Sequence, residues 1–507
     1  MSTVAGPATR DGSGDMLVSA CLVGAGTLAA VTLDARLWHW FVVPVAACGV
    51  LIGADVVAWL RGRLDTFDPR GVLAVLGFHF FYLAPLLHVL LDYWPTRIVP
   101  SVSWPDALGT MAVLNVAGLI LYRWVVALPG RSAPPRARFR VRLDERRFVR
   151  IVGAGVAIGM LAFVVVVLRF GGVLGFLATV TSDREALTGL GWLLMTAEMF
   201  PMLIFVLIVV HRRRALAGRP ELVLLLLAGF ALVQFLVGGL RGSRSNTVWP
   251  VLLGLMLVHL LVARVSRKAL VIFALVFGSF MYIYGLYKSA GTDVLDIARG
   301  TRTVAEVSAE TGRDVPTMLL GDLGRSDIQA IVLDRKRQGQ GDLGYGRSYV
   351  GDVLVLVPNR LLPERPPSKA VYGTEVLMGV GAYDHQASVG ASRIYGIAGE
   401  AMLNFGPLGA VLSFGVLGLV IRGAQRLYRR ARYGDELGPK ILAPALCLAS
   451  VLTLTSDLDN VVVMLVTRFL PVGLAALLAC AVVRQPPAAT VVRPRAAASP
   501  VARRNAR

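Results

Sequence analysis

The chain has 507 residues, of which 55% are hydrophobic and only 17% charged, and it carries a net charge of +20. A soluble fold of this length cannot bury that much apolar surface, so lipid must solvate part of it. The basic excess is then a marker of the cytoplasmic side, facing anionic headgroups, and not a nucleic-acid surface.

Taken in chain order, apolar stretches near bilayer length lie at 16–33, 37–60, 71–91, 106–128, 148–168, 190–210, 221–239, 248–263, 269–288, 394–421, 441–455 and 461–483. This predicts an all-α polytopic membrane protein with about twelve transmembrane helices. The stretches 248–263 and 441–455 are the shortest of the set. The first follows a polar tail and leads into further spans, so it reads as a retained signal anchor. Four regions result: a membrane domain over 1–288, a large loop over 289–393, three further spans over 394–483, and a basic tail over 484–507 whose Pro- and Ala-rich make-up predicts disorder.

With a cytoplasmic N-terminus, the inside loops are Arg61–Arg70, Pro129–Arg147, His211–Pro220, Arg264–Lys268 and Arg422–Lys440, each rich in arginine. The large loop then lies outside the membrane with about a dozen residues of each charge sign, which long loops tolerate. Both termini fall on the inside. Ile328–Leu333 has helical apolar spacing, so the large loop is expected to be partly helical and packed on the membrane domain. The four cysteines, Cys21, Cys48, Cys447 and Cys480, all lie in apolar stretches, and no disulfide framework or CxxC site is readable.

Charged groups at membrane depth or at the outer mouth are costly and therefore candidates for function. In the outer turn Gly238–Asn246, Arg241 and Arg244 stand three residues apart among glycines, a pattern suited to a phosphate or pyrophosphate. The plainer reading is that both snorkel to outer headgroups. Of the six histidines, His385 alone lies in the large loop, where an imidazole suits a general base. Glu400 falls about two turns into an apolar span, so it must be paired, protonated or facing a wet cavity. Glu198, Asp55 and Arg123 also lie in spans, the last two near cytoplasmic ends, where snorkelling suffices. Asp457-Leu-Asp459 has the spacing of a glycosyltransferase metal motif but lies in a short outer loop, and it is discounted; no metal is expected. The glycine run Gly339…Gly346 lacks the Lys-Ser/Thr of a phosphate loop.

Three pieces of the chain resemble the Wzy-type oligosaccharide repeat-unit polymerases of O-antigen and exopolysaccharide synthesis. They are Gly239-Leu-Arg-Gly-Ser-Arg244, the run from Gly346-Arg-Ser-Tyr349 to Pro363-Glu-Arg-Pro366, and Gly399-Glu400-Ala-Met-Leu-Asn404-Phe405-Gly406. Asn359 stands where that family often has arginine, with Arg360 following, and Arg365 stands where it often has lysine. The resemblance implies a GT-C-like membrane glycosyltransferase of the bacterial plasma membrane. It would join polyprenyl-pyrophosphate-linked oligosaccharide units on the outer face, with flippase and chain-length regulator proteins as partners and with neither cofactor nor nucleic acid. It further implies that Arg241, Arg244 and Arg393 hold the pyrophosphate while Glu400 or His385 takes the acceptor proton, with Arg325, Asp327, Arg360, Lys369 and Asn404 as further candidates. An O-antigen-type ligase and a lipid-linked glycan transporter are the rival readings, and an arabinosyl- or mannosyltransferase of the same superfamily is a more distant one.

Overall fold

The computed structural model describes residues 12–95, 98–129, 139–182, 184–187, 189–240, 244–290, 296–297, 299–358, 360–383 and 393–484. The expected disorder of 485–507 lies outside them.

Among the described residues, eleven helices are long and apolar enough to cross a membrane. In the first part of the chain these are α1 (Ser13–Leu33), α2 (Val42–Leu60), α3 (Pro69–Leu90), α4 (Trp104–Ala127) and α5 (Glu145–Arg169). A shorter helix, α6 (Val173–Ser182), precedes α7 (Gly191–Leu216), α8 (Pro220–Gly239), the 17-residue apolar helix α9 (Ser245–Leu261) and α10 (Arg267–Lys288). The large loop holds α11 (Val304–Thr311), α12 (Ser326–Arg337), α13 (Arg347–Leu354) and α14 (Lys369–Met378). The chain returns to the membrane domain as α15 (Gly396–Tyr433), α16 (Leu437–Thr455) and α17 (Leu458–Leu478). The chain thus has the make-up of a multi-pass membrane protein. The two short stretches resolve differently: α16 reaches 19 residues and full span length, whereas α9 stays below it.

Local chemistry sets the helix ends. Ser103 accepts the Asp106 N–H at 3.2 Å with Pro105 in the first turn, so α4 starts where a cap and a pre-set φ coincide. Asp68 and Pro69 do the same for α3. In the loop, Thr303 and Glu306 form a reciprocal capping box, and Gly312 at φ +64° ends α11.

One departure from an all-helical reading is a two-stranded antiparallel sheet, β1 (Phe139–Leu143) with β2 (Cys480–Arg484). The last span therefore ends near Leu478 instead of running to 483. The reason is visible in Phe139-Arg-Val-Arg-Leu143, whose strict apolar–basic alternation has the period of a strand, not of a helix.

Two buried cores share α15. The first joins α1–α4 to α12 and the N-terminal half of α15, and the second joins α5, α7, α8 and α9 to its C-terminal half and to α16 and α17. The helix predicted within the loop is thus buried from Ser326 to Asp334 and sits on α4 and α15. At the end away from the loop, Asp55 is buried and held by Arg70 (2.9 and 2.6 Å) and Arg123 (3.3 Å). Snorkelling therefore does not describe Asp55 and Arg123. A carboxylate this buried is kept by paired charge.

Candidate functional site

The site forms where α13, α14 and the start of α15 and α17 meet. α15 is broken by Gly406, whose φ of +68° and ψ of −164° are open to glycine alone, and by Pro407, which has no N–H. In a continuous helix the Leu403 carbonyl would accept the amide of residue 407. Released by the proline, it accepts Gly344 N–H at 3.2 Å instead, and the Asn404 carbonyl accepts Tyr345 N–H at 2.9 Å. The Asn404 side chain continues the seam: its Oδ1 accepts Gly346 N–H (3.0 Å), and its Nδ2 donates to Ser348 Oγ (2.7 Å) and the Glu400 carbonyl (3.0 Å). Two of the three motif pieces are thereby sewn together.

α13 then lies directly on Pro366 and Pro367. A Cβ on Gly351 would stand 2.6 Å from the Pro367 carbonyl and 2.7 Å from that of Pro366, so only glycine allows the approach. The contact delivers Lys369, whose backbone N–H donates to Asp352 Oδ1 at 2.9 Å. The Lys369 ammonium runs inward to an ion pair with Asp457, stands 3.6 Å from Asp459, and donates to the Arg393 carbonyl at 3.2 Å. Its side chain is 2% exposed and that of Asp457 is 0% exposed, so this pair is sealed from water. Burial alone would lower the lysine pKa, but Asp457, Asp459 and Glu400 outweigh it and hold the ammonium above its ordinary range. The other Asp457 oxygen, Oδ1, accepts the N–H groups of Tyr395 (2.8 Å) and Gly396 (2.7 Å), which fixes the first turn of α15.

One turn into that helix lies Glu400. Its Oε2 accepts Leu458 N–H at 2.9 Å, and its side chain lies within hydrogen-bond reach of Asp352. Burial lifts the Asp352 carboxyl above its usual range, against the opposing pull of the Glu400 hydrogen bond and the Lys369 N–H. Half-buried Tyr349 faces the same group: burial, then the charges of Glu400, Asp352 and Asp457, push its phenol upward.

Glu400 and Tyr349 also line a cavity of about 560 Å³, whose remaining wall is mostly apolar, with Phe405, Leu408, Leu412 and Val461, and also includes the hydroxyl residues Ser413, Thr453 and Ser456. Leu408 and Leu412 are exposed on the surface of a candidate span, so the cavity runs from the acidic cluster toward the face that lipid would cover.

A second charged cluster lies at the end of α9. Arg244 pairs with Asp322 at 2.7 Å, and Arg313 reaches the same carboxylate at 3.2 Å. Burial would raise Asp322, but these two guanidiniums prevail and hold it below the carboxylate range. Buried Arg325 stands between the clusters, in electrostatic reach of Asp457, Asp327, Asp322 and Arg244. Its Nη1 donates to the Asp322 carbonyl at 2.9 Å. Deeper, Arg468 and Glu198 form a buried ion pair (2.5 Å) joining α17 to α7.

The structure thus brings together Glu400, Lys369 and Asn404; Arg325 lies in electrostatic reach of Asp457, and Arg244 belongs to the second cluster with Asp322. Asp327 is buried and accepts Ile328 N–H at 2.8 Å, at the start of α12. Arg393 gives its carbonyl to Lys369 while the residue itself is exposed; Arg360 is exposed. Arg241 and His385 lie outside the described residues. Asp352 went unflagged in the sequence, and Asp457, set aside there with the metal-like spacing, is the buried partner of Lys369. Among the described residues no group of three or more His, Cys, Asp or Glu is arranged to hold a metal ion.

Compared with known proteins, the chain matches no family model, no curated protein and no solved structure.

Proposed function

We propose that this chain is a membrane glycosyltransferase that polymerises polyprenyl-pyrophosphate-linked oligosaccharide repeat units on the outer face of the bacterial plasma membrane. The observation that carries the reading is Glu400: a buried carboxyl on the wall of an apolar, membrane-facing cavity, one turn from a sealed Lys369–Asp457 pair. A lipid-borne sugar needs such a junction, with an apolar channel for its chain and a proton acceptor where the chain ends.

In this reading a hydroxyl of the acceptor unit attacks the anomeric carbon of the donor. The new C–O bond forms as the bond to pyrophosphate breaks, the pyrophosphate leaves with the electron pair, and the hydroxyl proton passes to Glu400. Charge building on the leaving group is met by the cationic side of the site, Arg325 with Arg244 and Arg313. The arginine-rich ends away from the large loop support the orientation.

The test is a gel of lipid-linked glycans from a deletion strain complemented with wild type or with Glu400→Gln. The expected result is long polymer with the wild type and single repeat units on the lipid carrier with the variant. Long polymer that persists but is no longer attached to its final acceptor would give the ligase reading. Repeat units held on the inner leaflet would give the transporter.

A further inference from the structure

Two buried carboxyls lie side by side at the site, each with one oxygen that no protein donor reaches. Asp352 uses Oδ1 for the Lys369 N–H, and its Oδ2 is buried without a partner. Glu400 uses Oε2 for the Leu458 N–H, and its Oε1 is likewise buried without a partner. The two side chains are within hydrogen-bond reach of each other. Each carboxyl is therefore anchored by a backbone amide on one oxygen and keeps its other oxygen buried without a partner, beside the other carboxyl. As two carboxylates the arrangement has four buried lone-pair faces and nothing to fill them. One proton between them turns both orphans into a donor and an acceptor.

The groups around the pair do not offer an alternative. Lys369, on α14, spends its ammonium on Asp457, Asp459 and the Arg393 carbonyl. Asp457 and Asp459, at the start of α17, add negative charge and disfavour a doubly ionised pair. Tyr349, on α13, is in electrostatic contact but is held in its neutral form.

We propose that Asp352 and Glu400 hold one proton in common and form the proton-handling unit of the site, with Glu400 reaching the cavity and Asp352 acting behind it as a positioning residue. The assignment of the pair to glycosyl transfer rests on the function proposed above; the sharing of the proton does not. A lone carboxyl in an apolar cavity with no donor beside it stays protonated and is a poor base. In a pair the first proton is released readily, because the remaining one bonds to the anion that is left, and the second is held tightly. The pair thus carries one negative charge over a broad pH range, and an ionised oxygen is available despite burial. During transfer the acceptor O–H breaks, its proton joins the pair, and the pair becomes neutral. That proton passes to solvent before the next addition.

The experiment is infrared difference spectroscopy of H/D exchange on the purified full-length protein at neutral pH, reading the C=O stretch of protonated carboxylic acids. Wild type should show a band that disappears in Glu400→Gln and also in Asp352→Asn. In each variant the new amide donates to the surviving carboxyl, which then ionises. Survival of the band in Asp352→Asn would mean that Glu400 is protonated on its own, and absence of the band in wild type would mean that no proton is shared. Either result overturns the proposal. If Asp352→Asn does not fold, Asp352→Ser supplies a donor hydroxyl and answers the same question. In the glycan assay Glu400→Gln should stop extension. If the bands behave as expected while wild type extends no glycan, the function fails and the proton pair stands.

Discussion

Replacing Lys369 by methionine tests the centre of the site. The substitution keeps the apolar stem of the side chain and removes the charged end, leaving Asp457 at 0% side-chain exposure with its Oδ2 unpartnered. Removing one member of such a buried pair costs about 3–5 kcal/mol, because the stranded ion keeps its desolvation penalty and loses the Coulombic term. Asp457→Asn should cost less, about 1.5–3 kcal/mol, since Lys369 retains Asp459 at 3.6 Å and the Arg393 carbonyl at 3.2 Å. The double variant is the decisive one. Both backbone N–H groups at the start of α15 go to the same oxygen, Oδ1, which an asparagine preserves. Lys369→Met with Asp457→Asn should therefore recover about 2 kcal/mol or more of the loss of the single lysine variant. Unfolding by SDS in mixed micelles, followed by tryptophan fluorescence, gives these differences. A lysine variant within about 1 kcal/mol of wild type, or a double variant no more stable than it, would refute the assignment of a sealed ion pair.

Three further outcomes follow from the same geometry. Asn404→Ala removes the side-chain bonds to Gly346, Ser348 and Glu400 and should cost about 1–3 kcal/mol; hydrogen exchange should show the Gly346 amide opening. Gly406→Ala puts a Cβ on a backbone of φ +68° and ψ −164° and should cost about 1–3 kcal/mol, measured in the same micelle titration. The Arg244–Asp322–Arg313 contact depends on acid in a stated direction. Asp322 is depressed in the fold, so its contribution is complete above its ordinary value of 3.8 and is lost as pH falls from there through the native value. Limited proteolysis of the loop should accelerate over that acidic range in wild type. Asp322→Asn should abolish the pH dependence.

The sequence made the membrane domain legible because hydropathy over a span-length window is a local quantity. Spans, the long loop and the buried helix at Ile328–Leu333 all follow from such windows, and Glu400 is conspicuous because a carboxylate in an apolar run is costly wherever it points. Asp352 and Asp457 were not legible in the same way. Asp352 belongs to a short loop helix of ordinary polarity, and only the glycine approach of Gly351 to Pro366–Pro367 brings it behind Glu400. Asp457 lies 88 residues from Lys369, and no local pattern announces that pairing; its spacing to Asp459 pointed toward a metal instead. Asp55 illustrates the same limit, since its distance from a helix end suggested solvent, while Arg70 and Arg123 in fact enclose it. The strand at 480–484 was hidden for a related reason, because its partner lies in a segment more than three hundred residues earlier.

The break in α15 also sets an order of assembly. Gly344 and Tyr345 are synthesised well before Leu403 and Asn404, the carbonyls that receive their amides, and Lys369 well before Asp457. A loop made in this order has no seat until the following span has been inserted and interrupted at Pro407, and no counter-ion until the last one starts. The candidate site therefore closes only once the last span has begun. A nascent chain stalled before residue 457 would carry most of the membrane domain while its candidate site stayed open and Lys369 lacked its counter-ion.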